Sequence, residues 1–148
     1  MRAAFQILGI PFRIKDGKPE YCVFCRADDK SFQFVAGGGE NDETPLEAAK
    51  REILEESGIT PDNIIELTSL SYLPVTIIHE SQRQHWDKNI YVIPEYTFGY
   101  ECDSDILISH EHLNILWLNF DEAYKKLTWD SNRTALYELN ERLKNYDL

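Results

Sequence analysis

Glu52, Glu55 and Glu56 stand at i, i+3 and i+4 in the run LEAAKREILEESGI. On a helix these positions are neighbours, and like charges there repel by roughly 0.2–0.5 kcal/mol per pair. A helix with a purely structural role gains nothing from the arrangement. Clustered carboxylates become useful when a cation sits among them, and an all-oxygen donor set suits a hard divalent ion such as Mg²⁺ or Mn²⁺. Glu52 and Glu56, one turn apart, are the first candidates for direct ligands; Glu55 is the third ligand or a general base.

The neighbouring residues are those needed to hold such a helix. Gly37, Gly38 and Gly39 allow positive φ and close backbone approach, and the spacing predicts a glycine loop there. Asp42 or Thr44 is placed to cap the helix, and Pro45 suits its first turn. Leu46, Ala49, Ile53 and Leu54 form an apolar stripe, and Gly58 is a stop signal. The expectation is a helix over 45–57 with one face buried and the other acidic.

Counted from Gly37 there are five residues, then Glu43, seven more, then Arg51 and Glu52, followed by Ile53, Leu54, Glu55, Glu56, Ser57, Gly58 and Ile59. This order resembles the complete signature of the Nudix hydrolase superfamily. An acidic solvated helix after a glycine-rich segment would account for the charge but not for the order. The resemblance implies a hydrolase that cleaves a nucleoside diphosphate, or a similar alcohol diphosphate, linked to a further group. It implies divalent cations held by the signature helix and an α+β fold, the Nudix-type α/β/α sandwich with a mixed sheet. Glu43 matches the superfamily's first glutamate, binding through water or orienting Arg51. Arg51 is read mainly as a structural ion pair and secondarily as a catalytic group.

A second likeness lies towards the C-terminus. Glu111-His112-Leu113, Trp117-Leu118, and Trp129 followed by Ser131-Asn132-Arg133 are similar to the corresponding region of the dihydroneopterin triphosphate pyrophosphatases, a branch also associated with dATP. It implies that Glu111 completes the metal site or acts as the base, and that Arg26, Trp129 and Asn132 contact substrate. For any single one of these tryptophans, a place as a core or edge aromatic is the commoner case. Another diphosphate-linked substrate, or a non-catalytic binding module, remains the alternative; the intact glutamates argue against the latter.

The chain has 148 residues and a formal charge of −11. One domain over 1–148 is expected. Polyphosphate and protein would repel each other unless cations bridge them. A pI near 4.7 speaks against coating a nucleic-acid polymer or docking on an anionic membrane, both of which need a basic face. The expected partner is therefore a small-molecule polyphosphate, with oligomeric state left open. The opening MRAAFQILGIPFRI is interrupted by Pro11 and Arg13 and reads as a strand, so cytoplasmic residence is expected.

Strands are expected over 2–14 and 20–26 around the turn Lys15-Asp16-Gly17-Lys18, and from Phe32 to Ala36. Further apolar segments fall near 64–78, 90–100 and 113–118, and helices over 121–127 and 131–145. Cys22 and Cys25 lie on a strand, where i and i+3 face opposite sides, so free thiols are expected. The polar segment 79–88 reads as a hairpin loop or lid in which Arg83, Trp86 and Lys88 are candidate contacts.

Overall fold

The structure is a computed structural model that describes every residue except Asp103, Ser104 and Ile108. Its strands are β1 (Arg2–Lys15), β2 (Lys18–Arg26), β3 (Phe32–Gln33), β4 (Val35–Glu40), β5 (Ile64–Pro74), β6 (Val92–Glu101) and β7 (His112–Leu118). Its helices are α1 (Pro45–Ser57), α2 (Phe120–Lys126) and α3 (Asp130–Lys144). Among the described residues the strands form one mixed seven-stranded sheet in the order β3-β2-β1-β6-β5, with β4 also on β1 and β7 also on β2. Among the described residues only the β1–β6 pairing is parallel. The β1–β2 hairpin turns through Asp16 and Gly17, both at positive φ (52° and 78°), as the right-handed strand twist favours.

Helices cover both faces, as expected of an α/β/α sandwich. On one, Ala135, Leu136 and Leu139 of α3 pack with Leu8, Ile10, Phe12, Tyr21 and Val23. On the other, α1 sets Ala48 and Ala49 beside Ile7 and Phe98, and Ile53 beside Val35 and Tyr100. All three cysteines are buried, Cys22 and Cys25 as free thiols.

The detail that builds the site is how two strands share one edge of β1. From Arg2 to Gly9 that edge carries β4; from Phe12 onward it carries β2. Beyond Tyr21, β2 runs on beside β7 and β3, so β2 and β4 splay apart. The expected strand from Phe32 to Ala36 is therefore two strands broken at Phe34, whose N–H leaves the ladder for Asn132 Oδ1 at 3.0 Å.

The glycines do not form the expected loop. Gly37 to Gly39 lie in β4, and positive φ among glycines is confined to Gly17 and Gly58. Close approach is what these positions require: a Cβ on Gly37 would strike the Glu52 carboxylate, and one on Gly38 the Arg2 guanidinium.

Helix α1 keeps the expected span. Thr44 supplies the cap: its hydroxyl accepts from Glu47 N–H while the Glu47 carboxylate accepts from Thr44 N–H, with Pro45 next. Such a capping box satisfies two otherwise orphaned donors. Gly58, at φ 74°, ends the helix. Leu54 is not in the buried stripe; it is 49% exposed, because it lies about 100° around the helix from Ile53. The segment expected over 64–78 leaves the sheet at Pro74 and continues as a 3₁₀ turn, Val75–Ile77.

Candidate active site

The splay between β2 and β4 is filled from below by the acidic flank of α1. Glu52 lies against Gly37, and Glu56 accepts a hydrogen bond from the Ala36 backbone. Both are turned towards the sheet and not towards open solvent, so the buried and acidic faces of α1 overlap. Glu56 is 5% exposed, and its Oε2 has no hydrogen-bond partner among the described residues. Burial raises its carboxyl to about 9, with Glu52 and Glu111 adding to the effect; burial likewise raises Glu52 to about 7. An unpaired ionised carboxylate inside a protein is costly, and such groups neutralise or find a cation.

Arg51 organises the rest. Its Nε and Nη2 donate to the two oxygens of Glu43, each at 2.9 Å, and Nη2 also donates to the Gly38 carbonyl at 2.8 Å. Nη1 reaches Glu52 at 3.1 Å and Glu55 at 3.4 Å. All three guanidinium nitrogens are engaged, and the fork lowers the pKa of the Glu43 carboxyl. Of the two readings of Glu43, this geometry is the one that orients Arg51. Glu55 shares the helix face with Glu52 and Glu56 but is more than half exposed and held by Arg51.

From across the splay come the end of β2 and the start of β7. Ala27 N–H donates to the Glu111 carbonyl, and the Glu111 carboxylate is close enough to act on both Glu52 and Glu56. Arg26 also bears on Glu56, but its fork closes on Asp28 at 2.9 and 3.0 Å. Trp129, at the N-terminus of α3, is 47% exposed. Asn132 is 3% exposed, and its amide is occupied by Phe34 N–H and the Ser131 hydroxyl. The fold thus gathers Glu43, Arg51, Glu52, Glu55, Glu56, Glu111 and Arg26, while Asn132 serves as a tie between α3 and the strands.

The donor chemistry fits a hard cation: oxygen-only, two carboxylates largely withdrawn from water, one oxygen unpartnered. In the conformation described, no three His, Cys, Asp or Glu side chains among the described residues converge tightly enough to hold an ion; Glu55 stays with Arg51.

A cleft of about 610 Å³ opens beside Glu52, lined by Arg2 and Gly38 and by Ser81, Gln84 and His85 of the β5–β6 connection. That connection is the segment singled out at 79–88. Its Trp86 is an anchor, with Nε1 donating to the Arg2 carbonyl at 2.8 Å, and Arg83 is tied to the Ile78 carbonyl at 3.1 Å. Arg2 carried no signal in the sequence, since only the β1–β4 register brings it to Gly38.

A protein-family model described as "NUDIX domain" matches residues 9–139. The chain belongs to the NUDIX family. It is similar to a Listeria monocytogenes protein assigned to the NUDIX hydrolases, with 40% identity, 98% of this chain and 97% of that one covered, and a TM-score of 0.86. It is also similar to the E. coli dihydroneopterin triphosphate pyrophosphohydrolase, at 25% identity and TM-score 0.73, with 94% and 97% covered. Among curated relatives, the RNA pyrophosphohydrolase of Stenotrophomonas maltophilia is 37% identical over 82 residues, 52% of this chain. The match spans 39% of that relative's length. Nudix hydrolases generally use divalent metal cations. No described helix of this chain is long and apolar enough to cross a membrane.

Proposed function

We propose that this single domain is a metal-dependent pyrophosphohydrolase that cleaves a pterin or nucleoside triphosphate between the α and β phosphates, releasing a monophosphate and pyrophosphate. The observation that carries the reading is buried Glu56 with its unpartnered oxygen, one turn from half-buried Glu52, which in a NUDIX protein is suited to a divalent ion. Glu52 and Glu56 would hold Mg²⁺ or Mn²⁺, with Glu55 and Glu111 completing the oxygen set. The bound cation lowers the pKa of water and neutralises charge in an in-line displacement.

The chain's own residues do the rest. Arg51 locks the signature helix to β4 through Gly38 and Glu43, which fixes where the carboxylates stand. Whichever of Glu55 and Glu111 does not serve as a ligand is placed to accept the proton of the attacking water. Trp129 offers an exposed ring for stacking a base or pterin, and Arg26 would contact substrate by exchanging its present partner Asp28 for a phosphate. Selection among triphosphates then falls on the ring end, through stacking and a few hydrogen bonds.

The likeness to the E. coli dihydroneopterin triphosphate enzyme over nearly the whole chain supports the pterin or nucleoside class. The curated relatives support a second reading, removal of pyrophosphate from the triphosphate end of RNA. The charge of −11 favours the small molecule, in keeping with a cytoplasmic enzyme of nucleotide metabolism. The test is product analysis with dihydroneopterin triphosphate, dATP, a 5′-triphosphorylated oligoribonucleotide and dinucleoside polyphosphates, with and without Mg²⁺. Pyrophosphate and monophosphate from the first two are expected. Cleavage confined to the oligonucleotide would transfer the proposal to RNA, and orthophosphate as first product would overturn the α–β assignment.

A further inference from the structure

Three arginines surround the acidic pair, and two are already neutralised. Arg51 is engaged by Glu43, Glu52, Glu55 and the Gly38 carbonyl, and Arg26 by both oxygens of Asp28. Arg2 makes no ion pair among the described residues. Its Nη2 donates to the neutral side chain of Gln6, and its Nε is buried with no acceptor. Only the more distant charges of Glu52 and Glu40 act on it favourably, against the cost of burial and the charge of Arg51. In a chain with 26 acidic and 15 basic residues, an arginine beside the acidic centre and without its own carboxylate calls for a partner from outside.

The placement of Arg2 is built. Its guanidinium occupies the space that a side chain at residue 38 would fill, so Gly38 admits a cation onto the face of β4. The Arg2 carbonyl is contacted by His85 Nε2 at 2.7 Å and Trp86 Nε1 at 2.8 Å, docking the β5–β6 connection on the same residue. The cleft beside Glu52 lies between the two, with Glu40 and, from the connection, Ser81, Gln82 and Gln84 also lining it.

We propose that this cleft is an anion subsite and that Arg2 is its binding cation, receiving phosphate oxygens of the substrate's polyphosphate end while Glu52 serves the adjoining centre. The assignment rests on the polyphosphate reading above. A guanidinium presents paired N–H donors that match phosphate oxygens, and partial burial strengthens the contact. Ser81, Gln82 and Gln84 of the loop bring no charge to the cleft, while the Glu40 and Glu52 carboxylates that also line it leave Arg2 as the group that draws an anion in.

Calorimetric titration of the full chain with inorganic pyrophosphate in the presence of Mg²⁺ tests this without a turnover assay. Arg2→Gln should weaken binding by about tenfold or more, the loss of a charge-assisted contact, and Arg2→Lys should recover part of it. Gly38→Ala should weaken binding similarly with no change in charge, because its Cβ displaces the guanidinium. Circular dichroism establishes which variants fold; the Arg2 pair decides the matter if Gly38→Ala does not. On a cleaved triphosphate, Arg2→Gln should raise KM by a similar factor with kcat within about threefold, as expected for uniform binding. Equal pyrophosphate affinity in wild type and Arg2→Gln, or a fall in kcat with KM unchanged, would overturn the inference. No pyrophosphate binding by wild type would overturn it too. Arg2-dependent pyrophosphate binding in a chain that cleaves none of the substrate panel would uphold the subsite while removing the proposed activity.

Discussion

Replacing Glu56 by Gln should make the metal-free protein more stable while removing its activity. In the unfolded chain Glu56 ionises near its ordinary 4.5, whereas in the fold burial holds it protonated up to about 9. Because the folded value lies above the unfolded one, its stabilising contribution is complete below about pH 4.5 and is lost as pH rises through about 9. At pH 7 folding must take up a proton at this site, a cost of about 3 kcal/mol. Gln has no proton to take up, and at pH 7 it replaces a carboxyl that the fold already holds neutral. The gain in the variant should therefore approach 3 kcal/mol at pH 7 and shrink towards zero near pH 5, less whatever the buried amide loses in unmade hydrogen bonds. Urea unfolding with EDTA at pH 5, 6, 7 and 8 measures it. Adding Mg²⁺ should stabilise wild type, increasingly so with pH, and the variant much less. A variant that is no more stable than wild type at pH 7, or whose advantage does not grow with pH, would refute the idea that Glu56 is a buried carboxyl awaiting a cation.

Other outcomes follow from the same geometry. Arg51→Lys should lower stability by about 2 kcal/mol or more and reduce kcat sharply, since an ammonium cannot span Glu43, Glu52 and the Gly38 carbonyl; thermal melts and turnover would show it, and a near-native Lys variant would contradict the locking role. Gly37→Ala should cost about 1–3 kcal/mol of stability and displace Glu52, with activity falling at every Mg²⁺ concentration. Glu111→Gln should retain the fold and lose much of kcat, and unchanged turnover would remove Glu111 from the mechanism. Asn132→Ala should destabilise by about 1–3 kcal/mol through the orphaned Phe34 N–H, with KM ratios between substrates unaltered; a selective change in KM would return Asn132 to the substrate pocket.

Local information was enough for the elements whose reasons are local. The span of α1 follows from the Thr44–Glu47 box, Pro45 and the Gly58 stop, all within one stretch of chain, and the β1–β2 hairpin from Asp16-Gly17. The order of strands and helices was sufficient for an α+β or mixed-sheet fold, and the order of residues from Gly37 to Ile59 for the NUDIX family and, through it, the sandwich. Tertiary structure decided what depends on register and packing. Gly37 to Gly39 read as a loop because glycine is locally permissive, yet pairing with β1 makes them a strand, and their lack of side chains is used to admit Glu52, Arg2 and Phe5. Leu54 and Ile53 are both aliphatic and adjacent; only the direction of the sheet exposes one and buries the other. The burial of Glu56, the tie between Asn132 and Phe34 across 98 residues of sequence, and the meeting of Arg2 with the 79–88 connection belong to the same class. Each is a contact between residues far apart in the chain, and the spacing of residues along a sequence carries no information about a distance that only folding creates.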